Sequence, residues 1–306
     1  MVRARLWRGF FLGSTGFFGG RDDSPEMRVA AARADSKLYL MDHDTTRRFQ
    51  EVLPHRPVQW GRAVRALAQM RGDFSDDLMM NYALALEGDD GERGFQAFRT
   101  EPGAHDLERN RPDLPATLDD WEQLSRLPKQ SLGRAYLALA RRDGIRVGDL
   151  VAGSLTVQDE HERAPDSLRR WYRDRIVARH DLLHVLTDYD RDRAGELQLV
   201  AFSLGVGVTP TRVYRVGIVL ALLGVPPRIL SGFARDLWRA WRRGISARIP
   251  QAARWEDLLP LPVEQVRARL GVAPLRDVHP KGVWREEAGS GRWLRVPVRD
   301  DSVLAA

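Results

Sequence analysis

His180 and His184 stand four residues apart within Arg179-His-Asp-Leu-Leu-His-Val-Leu-Thr187. On a helix this spacing sets both imidazoles on one face, close enough for two ring nitrogens to reach a single ion at about 2.0 to 2.1 Å. Asp181 lies three residues before His184 and borders the same face. After eleven intervening residues comes Glu196, at the start of the next apolar-periodic segment and just past a turn over 188–195. A helical hairpin would return that carboxylate to the histidines. Two imidazoles and two carboxylates suit zinc first, with iron, manganese or cobalt as alternatives, and do not suit copper(I). Four protein groups at most leave a position for water or substrate. Asp181 is the catalytic candidate, because it could instead serve as a supporting partner or general base, as the acid of H-E-x-x-H metalloproteases does. Its shorter side chain argues against protease chemistry. A histidine pair at this spacing also arises by chance, merely capping or lining a core. Glu196 and the apolar Leu182, Leu183, Val185 and Leu186 favour a pocket wall instead, since they bury the rest of the helix.

The elements that must hold these groups are helical. Apolar residues recur mostly at three- and four-residue spacing and β-branched runs are scarce, so the fold class is all-α, a single multi-helix domain. The pattern predicts helices over 59–70, 74–86, 131–142, 167–187, 196–206, 211–223, 229–245 and 263–270, the last opened by Pro262. A further short helix through Ser125 is capped by Thr117. Loops are expected where Gly, Pro and Asp cluster, at 87–93, 102–115 and 250–262. Val283-Trp284-Arg285 and 292–296 flank Gly289-Ser290-Gly291, which reads as a small C-terminal β-hairpin. The divisions are an N-terminal arm over 1–45, a helical domain over 46–272 and a hairpin tail over 273–306.

The chain has 306 residues, 43% hydrophobic and 29% charged, enough to bury a large core and too apolar for a disordered tail. There is no cysteine, so disulfides, thiolate-zinc sites, iron–sulfur clusters and cysteine nucleophiles are excluded. Residues 1–20 carry three arginines before Phe10-Phe11-Leu12 and hold too many glycines for a secretory signal. A transit peptide is compatible with them, and a flexible or surface-associated arm is the preferred reading. No stretch reaches the ~18 to 20 apolar residues of a membrane span. Asp188 to Asp192 begins like a calcium loop, but Arg193 and Leu199 replace the turn glycine and the bidentate acid, leaving a solvated acidic turn.

The net charge of +6 is concentrated: seven arginines and one acid, Asp236, fall between Arg228 and Arg254. On a helical wheel Leu230, Phe233, Ala234, Leu237, Trp238, Trp241 and Ile245 fill one arc, opposite Arg228, Arg235, Arg239, Arg242 and Arg243. Arg235, Trp238, Arg239, Trp241, Arg242 and Arg243 are therefore the candidate membrane and lipid contacts. Packing of the apolar arc in the core is the competing account, since amphipathicity alone cannot tell core from bilayer. No recognisable nucleic-acid module accompanies the charge, and no nucleic-acid partner is expected.

With these residues in place, the chain resembles the coenzyme Q biosynthesis protein four family. Ser131-Leu-Gly-Arg-Ala-Tyr136 following Leu127-Pro128, the H-D-x-x-H-x11-E run, Gly195-Glu-Leu-Gln-Leu-Val-Ala-Phe202, Trp241-Arg-Arg-Gly244, Trp255-Glu-Asp-Leu-Leu259 and Val266-Arg-Ala-Arg-Leu-Gly271 match its successive blocks over roughly 57–271. The resemblance implies an all-helical, membrane-peripheral protein with a divalent metal at His180, Asp181, His184 and Glu196. It implies C1 decarboxylation and hydroxylation of a polyprenylated benzoquinone precursor, beside other quinone-biosynthesis proteins and at a membrane surface, with a homodimer left open. Alternatives are a non-catalytic lipid-binding scaffold and a paralogue acting on another isoprenoid or polyketide ring. Read as bacterial, the chain would be cytoplasmic and peripheral to the inner membrane. Asp188 departs from the family pattern, which commonly has glycine there.

Overall fold

The computed structural model describes residues 56–69, 76–157, 167–207, 215–217, 225–287 and 291–298. The expected arm over 1–45 and most of the expected helix over 211–223 lie outside them. The helices are α1 (Trp60–Gln69), α2 (Asp76–Glu87), α3 (Asp90–Arg99), α4 (Ala104–Asn110), α5 (Leu114–Asp119), α6 (Trp121–Arg126), α7 (Leu132–Asp143), α8 (Val147–Val157), α9 (Ser167–Thr187), α10 (Arg193–Val206), α11 (Pro227–Ser246), α12 (Trp255–Leu258), α13 (Val263–Leu270) and α14 (Leu275–Val278). One antiparallel pair follows, β1 (Val283–Glu287) and β2 (Arg292–Val296), with Val283 opposite Val296 and Glu287 opposite Arg292. The all-α reading and the hairpin both hold.

Helices α4 and α12 fall in segments expected to be loops, α3 begins in one and runs on past it, and α8 and α14 were not expected. Their glycines, prolines and aspartates act as caps and stops rather than as loop. Asp113 Oδ1 accepts from Ala116 N at 2.9 Å and Asp120 Oδ1 from Gln123 N at 2.9 Å, so two short helices, α5 and α6, replace the single one expected. Thr117 is not a cap; its hydroxyl donates to the Asp113 carbonyl.

The core runs through α5 to α14 and the hairpin. Leu182 and Leu186 of α9, Leu199 and Phe202 of α10, and Phe233 and Leu237 of α11 are all at most 1% exposed. Trp293 of β2 meets Phe233 edge-on with ring centroids 4.9 Å apart, so the hairpin packs into the same core as the helices. Helices α10 and α11 touch backbone to backbone. A Cβ on Gly244 would lie 2.0 Å from the Phe202 carbonyl oxygen, and one on Gly205 would lie 2.1 Å from that of Trp241. Only glycine permits so close a crossing.

Candidate metal centre

Helix α9 keeps its apolar period into the last turn, so Ala178, Leu182, Leu183 and Leu186 face the core and carry His180 and His184 along one edge. The C-terminal carbonyls of a helix lack intrahelical partners. Here two buried arginines supply them: Arg267 donates to the Val185 and Leu186 carbonyls at 3.1 and 2.9 Å, and Arg243 to that of Thr187 at 2.7 Å. The chain then reverses at Asp188, whose φ of 56° is the left-handed conformation that glycine adopts freely and aspartate tolerates. The Asp188 carboxylate is held by Arg267 at 2.6 Å.

The turn is not the solvated acidic turn expected. Asp190 pairs with Arg142 at 2.7 Å and with Arg285, while Asp192 caps α10 by accepting from Ala194 N and Gly195 N at 2.8 and 3.2 Å. Burial would raise the Asp190 carboxyl, but the Arg191 amide and the two guanidinium groups hold it below its ordinary value. Gly195 then presses onto the turn, since a Cβ there would lie 1.9 Å from the Asp190 carbonyl oxygen. That contact seats Glu196 in the first turn of α10, facing the histidines.

The hairpin brings all four expected residues together. His180 Nε2 and His184 Nε2 are 3.2 Å apart, and Glu196 places one carboxylate oxygen 3.3 Å from the former and the other 3.1 Å from the latter. These separations match the edge of about 3.3 Å that a tetrahedron with metal–ligand bonds of ~2.0 to 2.1 Å requires. His184 Nδ1 lies 2.9 Å from the Tyr189 carbonyl and donates to it, which turns Nε2 towards Glu196. Ligand atoms of His180, Asp181 and His184 lie within 4.8 Å of one another, so this group could hold a divalent ion. Asp181 supports the fit independently. It is 2% exposed, and neither of its oxygens has a hydrogen-bond partner among the described residues. An ion would satisfy such an orphaned carboxylate.

His184 and Asp181 form a buried floor, whereas the side chains of His180 and Glu196 are 37% and 22% exposed and form the mouth. Burial works against the charged forms of both His180 and Glu196. Their mutual pairing wins, raising the His180 pKa and, with His184, lowering that of Glu196 far below the carboxylate range. Sequence spacing did not reveal Arg191, whose Nε sits 3.6 Å from Asp181 and 4.0 Å from Glu196.

Behind the site runs a second buried chain. The Tyr189 hydroxyl is 3.0 Å from His279 Nε2, and His279 Nδ1 is 3.7 Å from Asp236, which Arg239 and Arg295 bind at 3.1 and 2.6 Å. Burial, helped by Arg243 and Arg239 and opposed by Asp236, lowers the His279 pKa below its ordinary value. An unfolded histidine takes up its proton near pH ~6.5, so stability from neutral His279 is present above that pH and is lost as pH falls below it. His180 is shifted the other way and is common to wild type and variant. Urea denaturation from pH 7 to 5 should therefore show a shallower acid-side loss of stability in His279→Gln than in wild type. Parallel curves would contradict this assignment.

The six candidate lipid contacts are not brought to one surface. Arg243 is a correction: it is 3% exposed and donates inward to Thr187 and Ala273. Arg239 is tied to Asp236. Trp241 is half-buried against the core, while Arg235 and Trp238 are exposed and Arg242 lies over the Trp238 ring at 4.9 Å. The buried stripe of α11 is Ile229, Phe233, Asp236, Leu237, Ala240, Arg243 and Gly244, rotated from the apolar arc of the wheel.

An all-helical fold in which a helical hairpin opposes a carboxylate to a His-x3-His pair defines a class of helical proteins with a candidate metal centre. A family model described as "Coenzyme Q (ubiquinone) biosynthesis protein Coq4" matches residues 96–276, more than half of the chain. The chain belongs to that family. The match begins well after residue 57, where the resemblance was expected to start. The ubiquinone biosynthesis protein coq4, mitochondrial, of Aspergillus flavus is 25% identical over 179 residues, covering 58% of each chain. Its namesake from Vanderwaltozyma polyspora is 26% identical over 178 residues, covering 56% of this chain and 47% of that one. The chain thus spans about half the length of these relatives. A crystal structure from Nostoc punctiforme, described as a ubiquinone biosynthesis protein, superposes with a TM-score of 0.51 at 18% identity, over 71% of this chain and 99% of that one. That likeness concerns the fold.

Proposed function

We propose that this protein acts in ubiquinone biosynthesis as a metal-dependent enzyme removing the C1 carboxyl of a polyprenylated benzoquinone precursor, with an external oxidant supplying the oxygen for hydroxylation. The observation that carries the reading is the pair of Nε2 atoms 3.2 Å apart facing Glu196, beside a buried Asp181 carboxylate without a donor. His180, His184 and Glu196 would hold the ion, zinc first, with Asp181 as fourth ligand or as the proton-handling group. Bound there, a divalent ion supplies Lewis-acid stabilisation of the charge that develops as carbon dioxide leaves.

The chain's own residues do the rest. Tyr189 fixes the His184 tautomer through its carbonyl, and the buried floor excludes water from Asp181. An Asp181 kept from bulk water can hold or release a proton at a substrate oxygen when the site is filled. Exposure of His180 and Glu196 leaves the mouth for the ring. The polyprenyl tail, or another isoprenoid lipid, would follow the apolar surface beside α10. No helix among the described residues is long and apolar enough to cross a membrane. Membrane docking in this proposal is peripheral, through Arg235, Trp238 and Arg242, and the named relatives are mitochondrial.

A non-catalytic scaffold organising other quinone-biosynthesis proteins is separated from the enzyme by complementation. A quinone-deficient strain should regain ubiquinone with the wild-type chain and not with Glu196→Gln, provided that the variant is folded and still recovers partner proteins. Full rescue by such a variant would sink the enzymatic reading and favour the scaffold.

A further inference from the structure

Arg191 stands in the turn between α9 and α10 with its guanidinium among three carboxylates, yet it hydrogen-bonds to none of them. Its Nε is 3.6 Å from Asp181 and 4.0 Å from Glu196, and its Nη1 is 3.9 Å from Asp143. The Nε is buried and has no hydrogen-bond partner among the described residues. The buried arginines nearby make direct hydrogen bonds, although Arg243 also keeps a buried Nη2 without a hydrogen-bond partner among the described residues. Arg267 and Arg243 spend their donors on backbone carbonyls at 2.7 to 3.1 Å, and Arg175 reaches the Ala253 carbonyl at 3.2 Å and both oxygens of Glu256. A guanidinium carries five donors in a rigid fork matched to a carboxylate, and leaving the buried Nε–H unmade is costly. Asp143 does not need it, because Arg142 binds both its oxygens at 2.6 and 2.8 Å.

Charge points the same way. Asp181 and Glu196 contribute two negative charges and Arg191 one positive. A divalent ion, which is the reading proposed above and on which this inference rests, would leave the site with a net single positive charge. A site so charged, enclosed on the Asp181 side and open at the His180 side, calls for one anionic group on its ligand. The Arg191 side chain is 19% exposed, close to the 22% of Glu196 at the mouth.

We propose that Arg191 anchors the ligand head group, pairing its guanidinium fork with the carboxylate of an aromatic acid and so positioning the ring against the ion-binding residues. The role is a binding and positioning one, and it accounts for a guanidinium held just beyond bonding distance of its neighbours.

The test uses the metal-loaded chain and two probes of nearly equal shape, the anionic 3-prenyl-4-hydroxybenzoate and its neutral carboxamide, followed by titration calorimetry with elemental analysis of each sample. Wild type should prefer the carboxylate. Arg191→Gln should lose about 10- to 100-fold in affinity for it, as expected on losing a charge-assisted bidentate pair, with binding of the amide and the metal content unchanged. Arg191→Lys, which keeps charge but not the fork, should fall between them. Equal affinity in Arg191→Gln and wild type overturns the anchor, as does a wild type that binds neither probe or does not distinguish them. Loss of metal in Arg191→Gln also overturns it, making Arg191 a support for the ligand carboxylates. A wild type that takes up no ion defeats the metal reading separately. The same comparison then still decides the anchor, because the carboxylate preference must vanish with Arg191 whatever else fills the site.

Discussion

His184→Asn should strip the protein of its divalent ion while leaving it folded. Wild type is expected to carry about one equivalent at a four-ligand site, and the variant less than about a tenth of that by elemental analysis. Asparagine is chosen because its amide nitrogen can still donate to the Tyr189 carbonyl that Nδ1 of His184 serves at 2.9 Å. Alanine would leave that carbonyl unpaired in a residue that is 1% exposed, costing about 1 to 3 kcal/mol and mixing a folding defect with the loss of a ligand. Partners behind a metal ligand are worth about 10- to 100-fold in affinity or activity, so removing the ligand itself should cost at least that in both. Full metal content in a folded His184→Asn would eliminate the site as assigned.

Gly244→Ala should lower the melting temperature by on the order of 10 °C. Helix propensity alone predicts the opposite, because alanine in a helix interior is favoured over glycine by about 1 kcal/mol. The contacts decide the sign. The added Cβ would stand 2.0 Å from the Phe202 carbonyl oxygen and 3.0 Å from Gly205 Cα, all of it backbone, so the two helices must separate. Overpacking of this kind costs about 1 to 3 kcal/mol, and more where no flexible side chain can yield. Each kilocalorie is worth about 2 to 4 °C in a chain of this size. An unchanged or raised melting temperature would mean that α10 and α11 do not cross at these glycines.

The parts of this protein legible in its sequence are those set by local geometry. The i, i+4 spacing brings His180 and His184 to one face whatever surrounds them, and the apolar period gave α9 its bounds over 167–187. Glu196 was found because a turn of fixed length returns the next helix to the same place. The hairpin was visible from alternating residues around glycine. The short helices α3, α4 and α12 were not, because each is at most 10 residues long, starts within a stretch where glycine, proline and aspartate cluster, and has no side-chain cap, so packing more than propensity stabilises it.

Tertiary structure decided what depends on residues far apart in the chain. Arg243 looked like a lipid contact on the wheel, yet it turns inward because the end of α9 presents unpaired carbonyls, and no periodicity in α11 encodes that need. Likewise the aspartates of the 188–192 turn read as solvated until Arg142, Arg267 and Arg285 arrived from α7, α13 and β1. Asp181 was a candidate by type alone; that it is buried without a donor, with Arg191 beside it, follows from how α9, α10 and the turn between them pack. Spacing along one helix is a property of the backbone and is fixed by the sequence there. The burial and pairing of a charge depend on which distant element covers it, and only the assembled fold determines that.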